Sequence, residues 1–132
     1  MKLATYLHQE KERIGAVDSA GRVVDLHLAY AAYLRDVETS PSAELLASAV
    51  LGSDMVEFLK RGEKSMSAAR KALAYGENNP HNNFTVERQR VRLMAPVPRP
   101  GALVSAGKNF SDHVSEMSSK SIGRLKNRVV AE

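Results

Sequence analysis

Residues 95–117 read APVPRPGALVSAGKNFSDHVSEM, and the rest of the chain is best interpreted outward from this stretch. The prolines at 96, 98 and 100 fix φ at alternate positions and remove backbone donors. The segment is therefore predicted to run extended, outside the centre of any sheet, and to mark a domain boundary. Beyond it, residues 102–106 are predicted to form a short apolar strand. Gly107 then permits a turn whose backbone can approach a ligand closely.

A histidine and a glutamate follow this turn at a spacing that suggests chemistry. His113 and Glu116 stand three residues apart, so a helix would carry both on one face. A carboxylate beside an imidazole raises its basicity and fixes its tautomer, which is what a water-activating general base needs. Such pairs are also common on exposed helix surfaces without any role, and the spacing alone does not separate the two interpretations.

The N-terminal residues carry the alternation typical of strands. Three strands are predicted, at Lys2–Leu7, Arg13–Val17 and Arg22–Leu26. Asp18–Gly21 has the residue preferences of a type I turn that closes a hairpin between the second and third strands. Gly15 inside the second strand indicates a bulge or a close backbone approach. We therefore expect a small antiparallel sheet.

From residue 26 to residue 76 the hydrophobic period becomes helical. Four helical segments are predicted, of which the first is Leu28–Asp36 and the last is Lys64–Tyr75, ended by Gly76. The second is capped by Ser40, has Pro41 at its first position and is ended by Gly52. The third is capped by Ser53 and closed by Gly62. Their inward-facing residues are predicted to be Leu45, Leu46, Ala49, Met55, Phe58, Leu59, Met66, Ala69 and Leu73. The chain is therefore assigned to the α+β class.

A turn-rich loop and a basic strand connect the helices to the proline segment. Residues 77–83 read ENNPHNN, and His81 within them is predicted to be a solvated loop residue rather than a metal ligand. Residues 84–94 alternate and predict one strand, with Val91 and Leu93 facing inward. Its arginines are predicted to form the solvent face of an edge strand, with an anion-binding row as the alternative: Arg88, Arg90 and Arg92.

Composition excludes several classes of protein. The 132 residues carry a formal net charge of +4, but much of the excess lies in the last 15 residues, so no duplex-sized basic face is predicted and nucleic-acid binding is not expected. There is no cysteine, which excludes disulfides and thiolate metal sites and favours a reducing compartment. No secretory signal and no apolar run long enough for a membrane helix is present, so a cytoplasmic protein without a membrane partner is expected.

The segment from Leu93 to Met117 resembles the domain junction of the fumarylacetoacetate hydrolase family. Members typically read LLAPVPRPGK, then an apolar strand, then GLNYxDHAxE. Here the matching stretches are LMAPVPRPG at 93–101 and GKNFSDHVSE at 107–116. Lys108 and Phe110 replace residues that are more often Leu or Arg and Tyr. The first strands and alanine-rich helices also resemble the smaller N-terminal domain of bacterial members, so the resemblance covers residues 1–117.

This resemblance implies a site and a reaction class. His113 would be the general base and Glu116 its orienting partner, on a short helix that acts as a lid. Gly107, Asn109 and Phe110 would contact the substrate. Family members bind Mg²⁺ or Mn²⁺ through three carboxylates and hold a 2-oxo acid on the metal, which stabilises the developing enolate. Hydrolysis of acylpyruvates, decarboxylation and isomerisation all occur in the family. The partners implied are a small 2-oxo acid and a second copy of the chain in a homodimer.

The residues after Met117 depart from the family pattern. Members continue with a Lys-Pro strand, a Glu-x-Glu pair and a later Asp, whereas this chain continues SSKSIGRLKNRVVAE. We therefore expect three parts: an N-terminal α+β domain at 1–95, the linker and start of a truncated catalytic β domain at 96–117, and a divergent basic tail at 118–132. No metal ligand is assigned, and no tight Mg²⁺ or Mn²⁺ binding or turnover by this chain alone is expected. The alternatives are a stand-alone interaction module without catalysis and a basic tail that anchors the chain to nucleic acid or to an acidic surface.

Overall fold

The computed structural model describes residues 1–107, of which Met1–Gly101 form one compact unit. The strands and helices of this part are β1 (Lys2–His8), β2 (Lys11–Val17), β3 (Val23–Asp25), α1 (Leu26–Asp36), α2 (Ala43–Leu51), α3 (Met55–Lys60), α4 (Glu63–Asn78), β4 (Thr85–Val86) and β5 (Arg92–Leu93). The strands form one antiparallel sheet in the order β4-β3-β2-β1-β5. The predicted α+β class is confirmed, with several helices packed on a small antiparallel sheet.

The hairpin between β2 and β3 confirms the turn predicted from the sequence. Gly21 N donates to Asp18 O over 3.1 Å, and Asp18 N donates to Arg22 O over 2.9 Å. The Asp18 side chain is buried and accepts from the backbone N–H groups of Ala20 and Arg22. An aspartate that satisfies the orphan donors of its own turn stabilises that turn directly. The third strand is shorter than predicted, because Leu26 already belongs to α1.

One face of the sheet packs against the helices and forms the main core. Its buried members are mostly small, which lets the helices approach the sheet and one another closely: Ile14, Ala16, Val24, Leu26, Ala29, Tyr30, Ala31, Ala32, Leu34, Ala43, Ala47, Leu51, Met55, Phe58, Ala68, Ala69, Ala72 and Phe84. No helix within residues 1–107 combines the length and the apolarity needed to cross a membrane.

Helix α2 begins later than the sequence predicts. Ser42 rather than Ser40 stands at its N-cap position, and Ser40 N instead donates to Leu34 O of α1. The helix starts at Ala43, and its buried residues recur at every fourth position: Ala43, Ala47 and Leu51. Gly52 ends it with φ 79°, as predicted. The predicted inward stripe is wrong: Leu45 is 72% exposed and Leu46 43% exposed, and Ala49 is also exposed.

The next helix confirms part of its prediction. Met55 and Phe58 are buried, but Leu59 is 51% exposed, so its inward assignment is wrong. Asp54 rather than Ser53 caps α3, because the Asp54 carboxylate accepts from Glu57 N over 2.9 Å. A carboxylate is a good acceptor for the free N–H groups at a helix start.

Helix α4 continues past the glycine that was predicted to end it. Gly76 is buried inside the helix, and an added Cβ would lie 2.7 Å from Val24 Cγ1. The glycine is therefore there for close packing of helix on sheet, not for the left-handed conformation of a helix end. Ala69 is buried as predicted, and Met66 and Leu73 are partly buried against the core.

Residues 84–94 do not form the single strand that their alternation predicts. The two short strands β4 and β5 lie at opposite edges of the sheet, with an exposed 3-10 turn, Arg88–Arg90, between them. Val91 is buried as predicted, but Leu93 is 39% exposed. The segment covers the second face of the sheet, where Val86 and Val91 pack against Tyr6 and Val23. The need to bury that face, rather than the alternation of the local sequence, therefore decides the structure of residues 84–94.

Candidate functional site

Most of the site residues predicted from the sequence fall beyond the part of the chain that the structure describes. His113, Glu116, Asn109 and Phe110 lie outside the described residues, so the predicted His–Glu pair is neither placed nor assembled here. Gly107 is the last described residue, and it is exposed, with no heavy atom within 4 Å of an added Cβ. The lid helix likewise stays a prediction.

The apolar strand predicted at residues 102–106 is absent from the structure. The segment has no regular secondary structure, and its two large side chains are almost fully accessible: Leu103 is 90% exposed and Val104 97% exposed. A strand needs a hydrogen-bonded neighbour, and residues 1–107 supply none here. The apolar pattern alone could not show whether a neighbouring strand was present within these residues.

The proline segment before it is held against the compact unit rather than free. Met94 N donates to Thr5 O over 2.9 Å, and Thr5 Oγ1 donates to Pro96 O over 2.7 Å. Val97 packs against the main core, and Arg99 forms an ion pair with Glu12. Because Thr5 is 1% exposed, its hydroxyl needs a partner, and the Pro96 carbonyl supplies one. We call residues 94–99 the strap, and these contacts hold it within the compact unit Met1–Gly101.

A buried polar network, which sequence reasoning missed, lies on the second face of the sheet. Asp25 Oδ2 accepts from Tyr6 OH over 2.7 Å and from Arg13 over 2.9 Å, while its Oδ1 caps α1 by accepting from Leu28 N. Burial, and then the Asp25 charge, raise the pKa of Tyr6 far above its ordinary value. The signal that could have found Asp25 is its position directly before a leucine- and alanine-rich helix, where aspartate is a preferred N-cap.

A polar cleft lies beside residues 85–90, the stretch that begins with β4 and includes the 3-10 turn. It has a volume of about 620 Å³, and nearly all of its lining residues carry polar side chains: His8, Gln9, Arg22, Pro80, Asn83, Thr85, Val86, Glu87 and Arg90. His81 does not line it and is exposed, as predicted for a loop histidine. Sequence reasoning missed this cleft, because its walls come from three separate turns. The only sequence feature that indicated a binding site here was Arg90, as one member of the alternative anion-binding row.

Half of the chain is similar to curated oxaloacetate tautomerases. The chain is 40% identical over 66 residues to oxaloacetate tautomerase Fahd2a, mitochondrial, of Rattus norvegicus, and equally to oxaloacetate tautomerase FAHD2A, mitochondrial, of Bos taurus. It is 38% identical over the same length to the Homo sapiens protein of that name. Each match covers 50% of this chain. Over that half, the chain is similar to these fumarylacetoacetate hydrolase-type relatives, in agreement with the resemblance predicted from the sequence.

The matched stretch is short compared with the full length of the relatives. The chain spans about a fifth (19%) of the curated relatives it matches. No protein-family model matches the chain. The comparisons therefore show a similarity over half of the chain. The activity, substrate and partners of this chain are matters for proposal.

The divalent metal implied by that family can be tested against the described residues. Residues 1–107 bring no three His, Asp or Glu side chains together in a way that could hold a metal ion. The Glu-x-Glu stretch of this part illustrates the point, because Glu12 is engaged by Arg99 and Glu10 occupies the turn between β1 and β2. A hard cation needs several converging oxygen ligands. The described residues do not fit Mg²⁺ or Mn²⁺, so no chemical step is assigned to a metal here.

Proposed function

We propose that this chain supplies the small N-terminal domain and the start of the catalytic domain of a fumarylacetoacetate hydrolase-type enzyme that acts on a 2-oxo acid. The observation that carries the proposal is the 40% identity to oxaloacetate tautomerases over half of the chain. Oxaloacetate is therefore the first substrate to test. The hydrolase, isomerase and decarboxylase reactions of the family share the development of enolate charge beside a carbonyl group, which a bound divalent metal would stabilise.

The roles of the site residues belong to the same proposal. His113 acts as the general base, and Glu116 orients its imidazole, while Gly107, Asn109 and Phe110 contact the substrate. A neutral imidazole with a carboxylate on its other nitrogen can accept a proton from water or from carbon. Mg²⁺ or Mn²⁺ would be held by residues other than 1–107, and this chain alone is proposed to turn over no substrate.

A chimera tests the proposal. Residues 1–117 of this chain would replace the corresponding part of the rat relative. The keto–enol interconversion of oxaloacetate would be followed by the absorbance of the enol. We expect metal-dependent activity that falls by a factor of about 100 or more in His113→Ala, the range of a lost general base. The matched control is His81→Ala, which removes an exposed loop histidine and leaves the rate unchanged.

Two results would contradict the proposal. One is a folded chimera whose activity survives His113→Ala, which removes the assigned base from the reaction. The other is a metal-dependent rate from the 132-residue chain alone that is lost in His113→Ala, which disproves the dependence on residues outside it.

A second candidate is an interaction module without catalysis, and it rests on the exposed apolar residues of α2. Leu45 and Leu46 are 72% and 43% exposed on one short helix, an arrangement found where a partner or a second copy of a chain packs. The proposed homodimer would bury them. Sedimentation of the wild-type chain and of Leu45→Glu distinguishes the cases: a dimer that the substitution dissociates supports this candidate, and a monomer for both opposes it.

The location in the cell is also proposed. We infer a cytoplasmic protein from the absence of cysteine, whereas the names of the matched relatives describe mitochondrial proteins. Fractionation of cells that make the full protein decides between the two compartments.

A further inference from the structure

The polar cleft beside residues 85–90 contains charged groups that nothing else in the described chain engages. Within residues 1–107, the side chains of Arg90, Glu87 and His8 form no ion pair and no hydrogen bond. Arg22, in contrast, is paired over 2.7 Å with Asp18, whose side chain is fully buried. The cleft therefore presents one uncompensated guanidinium and one uncompensated carboxylate, in addition to an imidazole.

The wall of the cleft also holds a buried hydroxyl without a partner. Thr85 Oγ1 is inaccessible to solvent and has no hydrogen-bond partner within the described chain. Buried polar atoms are nearly always hydrogen-bonded, so this hydroxyl is a hydrogen-bonding group of a cleft-lining residue that the described chain leaves unused. Thr85 is part of β4, so its backbone position is set by pairing with Val24.

Backbone strain at the rim of the cleft is a further sign. Gln9 and Glu10 have φ 50° and 61° in the two-residue turn between β1 and β2, a conformation that favours Asn-Gly. Neither residue is glycine, and strain of this kind is concentrated at functional sites. Gln9 lines the cleft, and Asn83 places a second side-chain amide on its lining.

We propose that this cleft binds a small carboxylate that also carries a hydroxyl group, such as a 2-hydroxy acid. The Arg90 guanidinium binds the carboxylate, since planar guanidinium groups match carboxylates in charge and geometry. The Glu87 carboxylate accepts the hydrogen of the hydroxyl group, and the two amides hydrogen-bond the remaining oxygens. A ligand with only negative charge would leave Glu87 opposed by a like charge, which is why a donor group belongs in the ligand.

Titration of the full 132-residue chain with L-lactate and with propionate tests the proposal. The two probes share one carboxylate and differ in one hydroxyl group. We expect backbone amide resonances of the cleft to shift in a saturable way, with lactate bound about tenfold more tightly than propionate, the effect of one hydrogen bond to a charged group. Arg90→Gln should weaken both probes at least about tenfold, and Glu87→Ala should bring the ratio of the two dissociation constants to about one.

Arg88→Gln is the matched control. Arg88 lies on the same exposed 3-10 turn as Arg90 but does not line the cleft, so its removal should leave both dissociation constants unchanged. Equal weakening by the two arginine substitutions would show that only general electrostatic attraction is present and would overturn the proposal. So would shifts that do not saturate. Equal affinity for lactate and propionate in the wild-type chain would overturn the hydroxyl assignment. The titration needs no turnover, so its outcome is independent of the proposed enzymatic function.

Discussion

Gly15 holds its place in β2 because the ring of Tyr6 packs over it. An added Cβ would lie 2.8 Å from Tyr6 Cε1 and 2.7 Å from Val23 Cγ1. The strand register is continuous through this residue, so of the two interpretations of a strand glycine the close approach is confirmed and the bulge is wrong. The absence of a side chain lets the Tyr6 hydroxyl reach Asp25 on the far side of β2.

Gly15→Ala is therefore expected to lower the free energy of unfolding. Overpacking of this kind costs about 1–3 kcal/mol. Chemical denaturation of both proteins measures the difference. Gly101→Ala is the control, because nothing lies within 4 Å of an added Cβ at that position and a change within about 0.5 kcal/mol is expected. Equal effects at both sites would contradict the packing argument.

Tyr6 also makes stability depend on pH in the alkaline range. Burial and the Asp25 charge raise the pKa of Tyr6 in the folded state, so the folded chain keeps a proton that the unfolded chain releases above about pH 10. Stability from this group is complete below that pH and is lost as the pH rises, by about 1.4 kcal/mol per pH unit.

The comparison of wild type with Tyr6→Phe isolates this contribution. Denaturation at increasing pH should show a steeper decline for wild type, and the two stabilities should converge. Tyr30, Tyr33 and Tyr75 also have raised pKa values but are common to both proteins. Parallel pH profiles would show that the Tyr6 hydroxyl ionises freely in the folded state.

At the scale of elements, the contact between α4 and β3 explains why the helix contains a glycine. Gly76→Ala gains about 1 kcal/mol of helix propensity but drives a Cβ to 2.7 Å from Val24 Cγ1. Because Val24 is fully buried, the neighbour cannot withdraw, and we expect a net loss of stability of about 1–2 kcal/mol.

A double-mutant cycle checks this expectation. Val24→Ala alone removes methyl groups from the core and is destabilising, but it also makes room for the new Cβ. Gly76→Ala combined with Val24→Ala should therefore cost less than the sum of the single changes, by about 0.5 kcal/mol or more. Strict additivity would show that the loss of stability in Gly76→Ala does not come from contact with Val24.

At the scale of the whole molecule, the strap determines where the compact unit ends. Residues 1–101 include both hydrophobic clusters and the strap, so a chain that ends at Gly101 should keep the thermal midpoint of the full chain within a few degrees. A chain that ends at Leu93 leaves Thr5 Oγ1 and Thr5 O without partners and exposes the surface under Val97, and it should melt lower. Thermal unfolding followed by circular dichroism compares the three chains. An unfolded 1–101 chain would refute the boundary.

The sequence by itself determined the local features of this protein. The β2–β3 turn at Asp18–Gly21, the end of α2 at Gly52 and the buried Met55 and Phe58 follow from residue preferences that act within a few positions, and the structure confirms them. The resemblance to the fumarylacetoacetate hydrolase family was also visible in the sequence, and the similarity of half of the chain to curated relatives agrees with it.

Only the tertiary structure decided the features that depend on distant neighbours. Gly76 continues a helix instead of ending it because Val24 occupies the space of a side chain, and residues 84–94 separate into two edge strands because the second face of the sheet must be covered. The Asp25 network and the polar cleft bring together residues from separate turns and strands. Burial and hydrogen bonding are shared between chain segments, so no local pattern of residues can specify them.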